Sequence, residues 1–138
     1  MVAYQRGLGA VRRQGSVLIA DHEPELRREL AALFHGEGYS THLAADDEEA
    51  VEIVHREAID VVVVALELPR SGGLDFLRAV RQILKASMPC VLTAFEVSGR
   101  LQVRAFVEDA FTVVPKPLDG AVVMRAVASA LRRHHESR

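Results

Sequence analysis

Five short apolar runs, at residues 17–20, 39–44, 61–65, 90–93 and 111–114, alternate with five stretches of helical periodicity, and this alternation most narrows the folds open to the chain. The runs are continuous rather than alternating, as strands are when both faces of a sheet are covered. The third, all valine before Ala65, is the most β-branched and is predicted to lie centrally. Tyr39 to Ala44 is less apolar and is predicted nearer an edge. Between the runs, apolar residues recur every three or four positions: Leu26, Leu30, Leu33 and Phe34; Ala50, Ile53 and Val54; Leu74, Leu77, Val80 and Leu84; Val103, Phe106 and Val107; Val123, Met124, Val127 and Leu131. Pro24 suits the first turn of the first helix, Gly36 and Gly38 stop it, and Ser98 is a candidate N-cap for the fourth. No hairpin signal joins any two strands. The connections must then be right-handed crossovers, which gives a doubly wound α/β domain with a five-stranded parallel sheet. Functional residues in such sheets gather in the loops beyond the carboxyl ends of the strands.

The chain has 138 residues, enough for one core and one domain. That domain is predicted over residues 16–133, with a basic N-terminal tail at 1–15 and a C-terminal tail at 134–138. Arg12-Arg13 has behind it only the apolar run 17–20, too short for an export signal. No apolar stretch approaches the roughly 20 residues of a membrane span, and the net charge of −2 gives no bulk electrostatic reason to expect nucleic acid. The single cysteine, Cys90, lies in an apolar run and is expected to be an inert buried thiol. These features lead to an expected cytoplasmic location.

Several chemistries lack their motifs. Gly72-Gly73 is not the spacing of a phosphate loop. His35, His42 and His55 fall on separate elements and His134-His135 in the predicted tail, so no metal-ligand spacing is present. Asp46 to Glu49 reads as a first helical turn complementing the macrodipole rather than as a cation site. The predicted strand ends do carry chemistry: Asp21-His22-Glu23 after the first, Ala65-Leu66-Glu67 after the third, Thr93 after the fourth and Lys116-Pro117 after the fifth.

With these residues in that order, and with the segments VLIADHEPELRREL, AADDEEAVEIV, LELPRSGGLDFLRAVR, VLTA and AFTVVPKPLD, the chain resembles the receiver domain of bacterial two-component response regulators over about residues 16 to 133. The resemblance implies the strand order 2-1-3-4-5. It also implies that an aspartate ending the third strand accepts a phosphoryl group from a histidine kinase. Magnesium would be held by that aspartate, by the second acid of a pair after the first strand and by a backbone carbonyl two residues past the acceptor. A hydroxyl and a lysine would bind the phosphoryl oxygens. By position Asp21 matches the first acid, Glu67 the carbonyl donor, Thr93 the hydroxyl and Lys116 the ammonium, with a cis bond implied at Lys116-Pro117.

Three positions depart from that pattern. Ala65 stands at the acceptor, His22 at the second acid, and Val113 at the aromatic switch position three residues before the lysine, with Phe111 read as lying on the same side of the strand. A methyl group neither attacks phosphorus nor binds a cation, and imidazole is a poor ligand for a hard ion, so magnesium binding is expected to be lost. Glu67 is expected to point away along the chain, and Asp21 to pair directly with Lys116. His22 beside acids raises a pH-sensing reading, weaker than simple solvation.

The expected function is therefore a non-enzymatic, phosphorylation-independent interaction module of phosphorelay signalling. Its partners would be proteins, a histidine kinase or an output protein among them, with a homodimer as a further option. The docking face implied is the fourth helix, fifth strand and fifth helix, with Arg100, Arg104, Arg125, Glu108 and Asp109 as its candidate lining. Two alternatives stand beside this reading: a conventional acceptor whose aspartate was substituted or relocated, and a small-ligand sensor with an apolar cavity near Ala65, Leu66 and Thr93.

Overall fold

A computed structural model describes residues 14–136. The elements run β1 (Gly15–Ala20), α1 (Pro24–Gly36), β2 (Tyr39–Ala44), α2 (Asp47–Arg56), β3 (Val61–Ala65), α3 (Gly73–Leu84), β4 (Cys90–Ala94), α4 (Gly99–Val107), β5 (Thr112–Pro115) and α5 (Gly120–Glu136). All four strand pairings are parallel, in the order β2-β1-β3-β4-β5, so the doubly wound topology and its strand order are as expected. The valine-rich β3 is central and β2 lies at an edge.

The strands alternate strictly between two cores. Leu18, Val62, Val64, Cys90 and Leu92 face α2, α3 and α4, where they meet Ile53, Phe76, Leu77 and Leu101. Val17, Ile19, Val61, Val63 and Val91 face α1 and α5, where they meet Leu30, Phe34, Val123 and Val127. Phe34 is fully buried and meets Tyr39 edge to face at 5.1 Å between ring centroids. Burial of each such side chain contributes about 1.5–3 kcal/mol. Cys90 is buried, and that burial pushes its thiol upward in pKa, as expected of an inert core thiol.

Local chemistry fixes the helix starts. Pro24 occupies the first turn of α1. Asp46 caps α2 by accepting from the Glu49 N–H at 2.8 Å, and Glu49 reaches back to the Ala45 N–H at 2.6 Å. Asp47 is buried and accepts from the Ser71 N–H at 2.9 Å, which ties α2 to the loop after β3. The acids 46–49 thus cap and anchor, and Arg70 pairs with Asp46 and Glu48 across that loop. Ser98 caps α4 through a 3.1 Å bond from the Leu101 N–H.

Four expectations need correction. β1 begins at Gly15, inside the segment read as a tail; residues 1–13, with Arg6, Arg12 and Arg13, lie outside the described residues. α5 runs to Glu136, so His134 and His135 are helical rather than part of a tail. Phe111 precedes β5, and it packs toward the α1 and α5 core whereas Val113 packs toward the other; the two do not share a side. The bend at Phe111 breaks the alternation that would have aligned them. Finally, the apolar residues that mark α4 face outward: Phe106 is 82% exposed and Val103 and Val107 are each 63% exposed.

Candidate functional site

The carboxyl edge of the sheet brings five of the six expected pocket residues together. Register sets Ala65 directly beside Thr93, and Thr93 beside Val114, two residues before Lys116. Asp21, the residue after β1, is held by a 3.0 Å bond from its N–H to the Ala44 carbonyl. Its Oδ1 accepts from the Glu23 N–H at 2.9 Å, and its carbonyl accepts from Arg27 Nη1 at 2.5 Å.

Lys116 Nζ lies 2.8 Å from Asp21 Oδ2, with the two side chains only 3% and 4% exposed. The expected direct pair is therefore present. The ammonium has no partner aligned for a hydrogen bond, so the attraction is Coulombic in character. The Lys116–Pro117 peptide is cis.

Glu67 differs from expectation. Its carboxylate turns back into the edge, placing Oε1 3.7 Å from Lys116 Nζ and Oε2 3.3 Å from the Phe95 N–H, which it accepts. The Lys116 ammonium also lies 4.9 Å from the centroid of the Phe95 ring, a cation–π distance. Phe95 was not singled out from sequence; nothing in its spacing marks a loop aromatic as a lysine partner. His22 faces outward, its side chain 49% exposed and its Nδ1 3.8 Å from Asp21 Oδ1. It stands at the rim rather than in the cluster.

Ala65 is completely buried beneath these groups. Its carbonyl accepts from the Leu68 N–H at 3.2 Å. Gly73 packs so closely above it that an added Cβ would stand 2.4 Å from the Ala65 oxygen. The loop between them turns through Gly72, whose φ of +90° suits glycine.

Would these residues hold a magnesium ion? The ion requires several oxygen ligands at about 2.0–2.1 Å in octahedral array. The buried Asp21 carboxylate already has an ammonium at 2.8 Å, Ala65 supplies no side-chain oxygen, and Glu67 is turned toward Lys116 and Phe95. The residues present do not fit the ion.

The proposed docking face is also rearranged. Arg100, Arg104 and Arg125 are exposed as expected. Glu108 is not: it is buried against α3, accepting from Arg78 and Arg81, each at 2.7 Å. The hydrogen bond from Arg78 holds the Glu108 carboxyl below the usual carboxylate range. Asp109 accepts from the Ser87 hydroxyl. Glu108 thus serves the α3 side, where Arg78 and Arg81 compensate the burial of its carboxylate, whereas Asp109 stays exposed beside the segment after α3. Val113 is partly buried and lines a groove of about 250 Å³ with Ala105, Phe106 and Phe111. Two larger clefts, of about 400 and 540 Å³, lie at the opposite, amino edge of the sheet around Asp60, Pro89 and Cys90. Neither touches Ala65, Leu66 or Thr93. No described helix is long and apolar enough to cross a membrane.

A parallel sheet of this order with its charged groups at the carboxyl edge defines a doubly wound domain of flavodoxin-like architecture. Residues 17–128 match the family model described as the response regulator receiver domain, and the chain belongs to that family. It is 27% identical over 121 residues to the transcriptional regulatory protein CpxR of Escherichia coli, covering 88% of this chain and 51% of that one. The chain thus spans about half the length of the curated relatives it matches. Among solved structures it is similar to a CheY-like receiver domain protein from Methanospirillum hungatei, with TM-score 0.82, 17% identity and coverage of 90% and 98%. A two-component response regulator from Clostridium difficile gives TM-score 0.80 at 21% identity, covering 88% and 98%.

Proposed function

We propose that this receiver domain acts in two-component signalling without being phosphorylated, as a module that binds other proteins. The observation that carries this reading is the completely buried methyl group of Ala65 at the end of β3, where acceptance would need a carboxylate. The Asp21–Lys116 pair supports it, since the ammonium is already matched by buried and half-buried acids and requires no incoming anion. So does the poor fit of the edge to magnesium, from which we infer that the ion is not bound. His22, at the exposed rim, takes no part.

The output surface in this reading is the outer side of α4. Val103, Phe106 and Val107 form one apolar stripe, and exposed Arg100 and Arg104 flank it. Large apolar side chains clustered on a solvent face mark an interaction surface more often than chance exposure does. The partner would be a protein of the signalling pathway, in the cytoplasm, and no catalytic turnover is required of this domain.

Incubation with acetyl phosphate and magnesium followed by intact-mass measurement tests the reading. The mass is expected to stay that of the unmodified chain. A phosphoryl adduct that hydroxylamine removes, mapped to any carboxylate of this chain, overturns it.

A further inference from the structure

Glu67 adds a side-chain link between three loops whose bases are joined by main-chain bonds, from the Leu66 N–H to the Thr93 carbonyl at 2.8 Å and from the Lys116 N–H to the Ala94 carbonyl at 2.7 Å. It belongs to the loop after β3, its Oε2 accepts the Phe95 N–H from the loop after β4, and its Oε1 faces the ammonium of Lys116 from the end of β5. Lys116 in turn lies against the Phe95 ring. One carboxylate and one ammonium therefore hold the backbone and the side chain of the same residue. Phe95 is three residues before Ser98, whose hydroxyl caps α4. Phe95 thus lies in the short segment that leads into the cap of α4.

We propose that Glu67 is a positioning residue, a built-in anionic latch that fixes the loop after β4, and with it the outer face of α4, without any added group. This rests on the reading of that face as the output surface. A free carboxylate in the loop would gain more solvation pointing outward, as its neighbour Arg70 does. Its inward turn is maintained by the charge of Lys116 and by a main-chain donor, a charge-assisted arrangement stronger than a neutral hydrogen bond. Phe95 is 57% exposed, so burial of its own side chain contributes little to its position.

Amide hydrogen exchange of the unaltered protein, Glu67→Ala and Glu67→Gln tests this. In Glu67→Ala the Phe95 amide is expected to exchange at least about tenfold faster, the effect of losing one hydrogen bond to a charged acceptor, while the Val63 amide in the central strand keeps its rate. Glu67→Gln, which retains an acceptor oxygen but not the charge, is expected to give a smaller increase at Phe95. An unchanged Phe95 rate in Glu67→Ala overturns the proposal, as does an equal acceleration at Val63, which would mean general loosening. A phosphoryl adduct on the unaltered chain would sink the functional reading and leave this exchange result intact, so the two failures are distinguishable.

Discussion

Lys116→Met is expected to destabilise the domain by about 3–5 kcal/mol at neutral pH, the cost of leaving a buried carboxylate without its counter-charge. The Asp21 carboxylate is enclosed and, once the ammonium is gone, keeps the bond from the Glu23 N–H and the rim imidazole of His22 at 3.8 Å. Glu67 makes the loss worse, because two acids then face one another across the space the ammonium occupied. The complementary change, Asp21→Asn combined with Lys116→Met, is expected to recover most of the stability, since Asn and Met match the replaced side chains in volume and leave no unpaired buried charge. Urea unfolding of the two single variants and the double variant measures the coupling directly. Single-variant losses below about 1 kcal/mol would show that water reaches the pair and that the edge is not the closed charged cluster described above.

Gly73→Ala is expected to cost about 2–3 kcal/mol by overpacking. The added methyl would stand 2.4 Å from the Ala65 carbonyl oxygen, 3.1 Å from its carbon and 3.2 Å from Leu92 Cδ1. Two of these three are backbone atoms of the central strand, so relief demands that α3 lift from the sheet rather than that a rotamer change. Gly36→Ala is the comparison, because nothing lies within 4 Å of its added Cβ. A loss at Gly73 no larger than at Gly36 in thermal unfolding would contradict the close seating of α3 on Ala65.

The sheet was legible because its strands are buried on both faces, and only runs such as 61–65 satisfy that requirement. The Asp21–Lys116 pair was legible for a similar reason: once Ala65 removes one acid, the remaining opposite charges at one edge have few other partners. Side-chain directions in loops were not. Glu67 has two staggered torsions before its carboxyl, and sequence carries no information on which one Lys116 selects. α4 misled for another reason. Its inner side is made of Leu101, the small Ala105 and Glu108 neutralised by two arginines, so the apolar periodicity of Val103, Phe106 and Val107 describes the outer face. Periodicity reports an amphipathic helix and not which side meets the core. Phe111 was misplaced because an apolar residue abutting a strand is indistinguishable from its first residue until the bend is seen.

The loss of chemistry at position 65 is tested most directly by titrating the protein with beryllofluoride and magnesium while following backbone amide shifts. Unchanged resonances at Ala65, Thr93, Phe95 and Lys116 at saturating reagent are expected, because this phosphoryl mimic must bond to a carboxylate oxygen and the buried methyl offers none. Saturable shifts centred on those four residues would contradict the account.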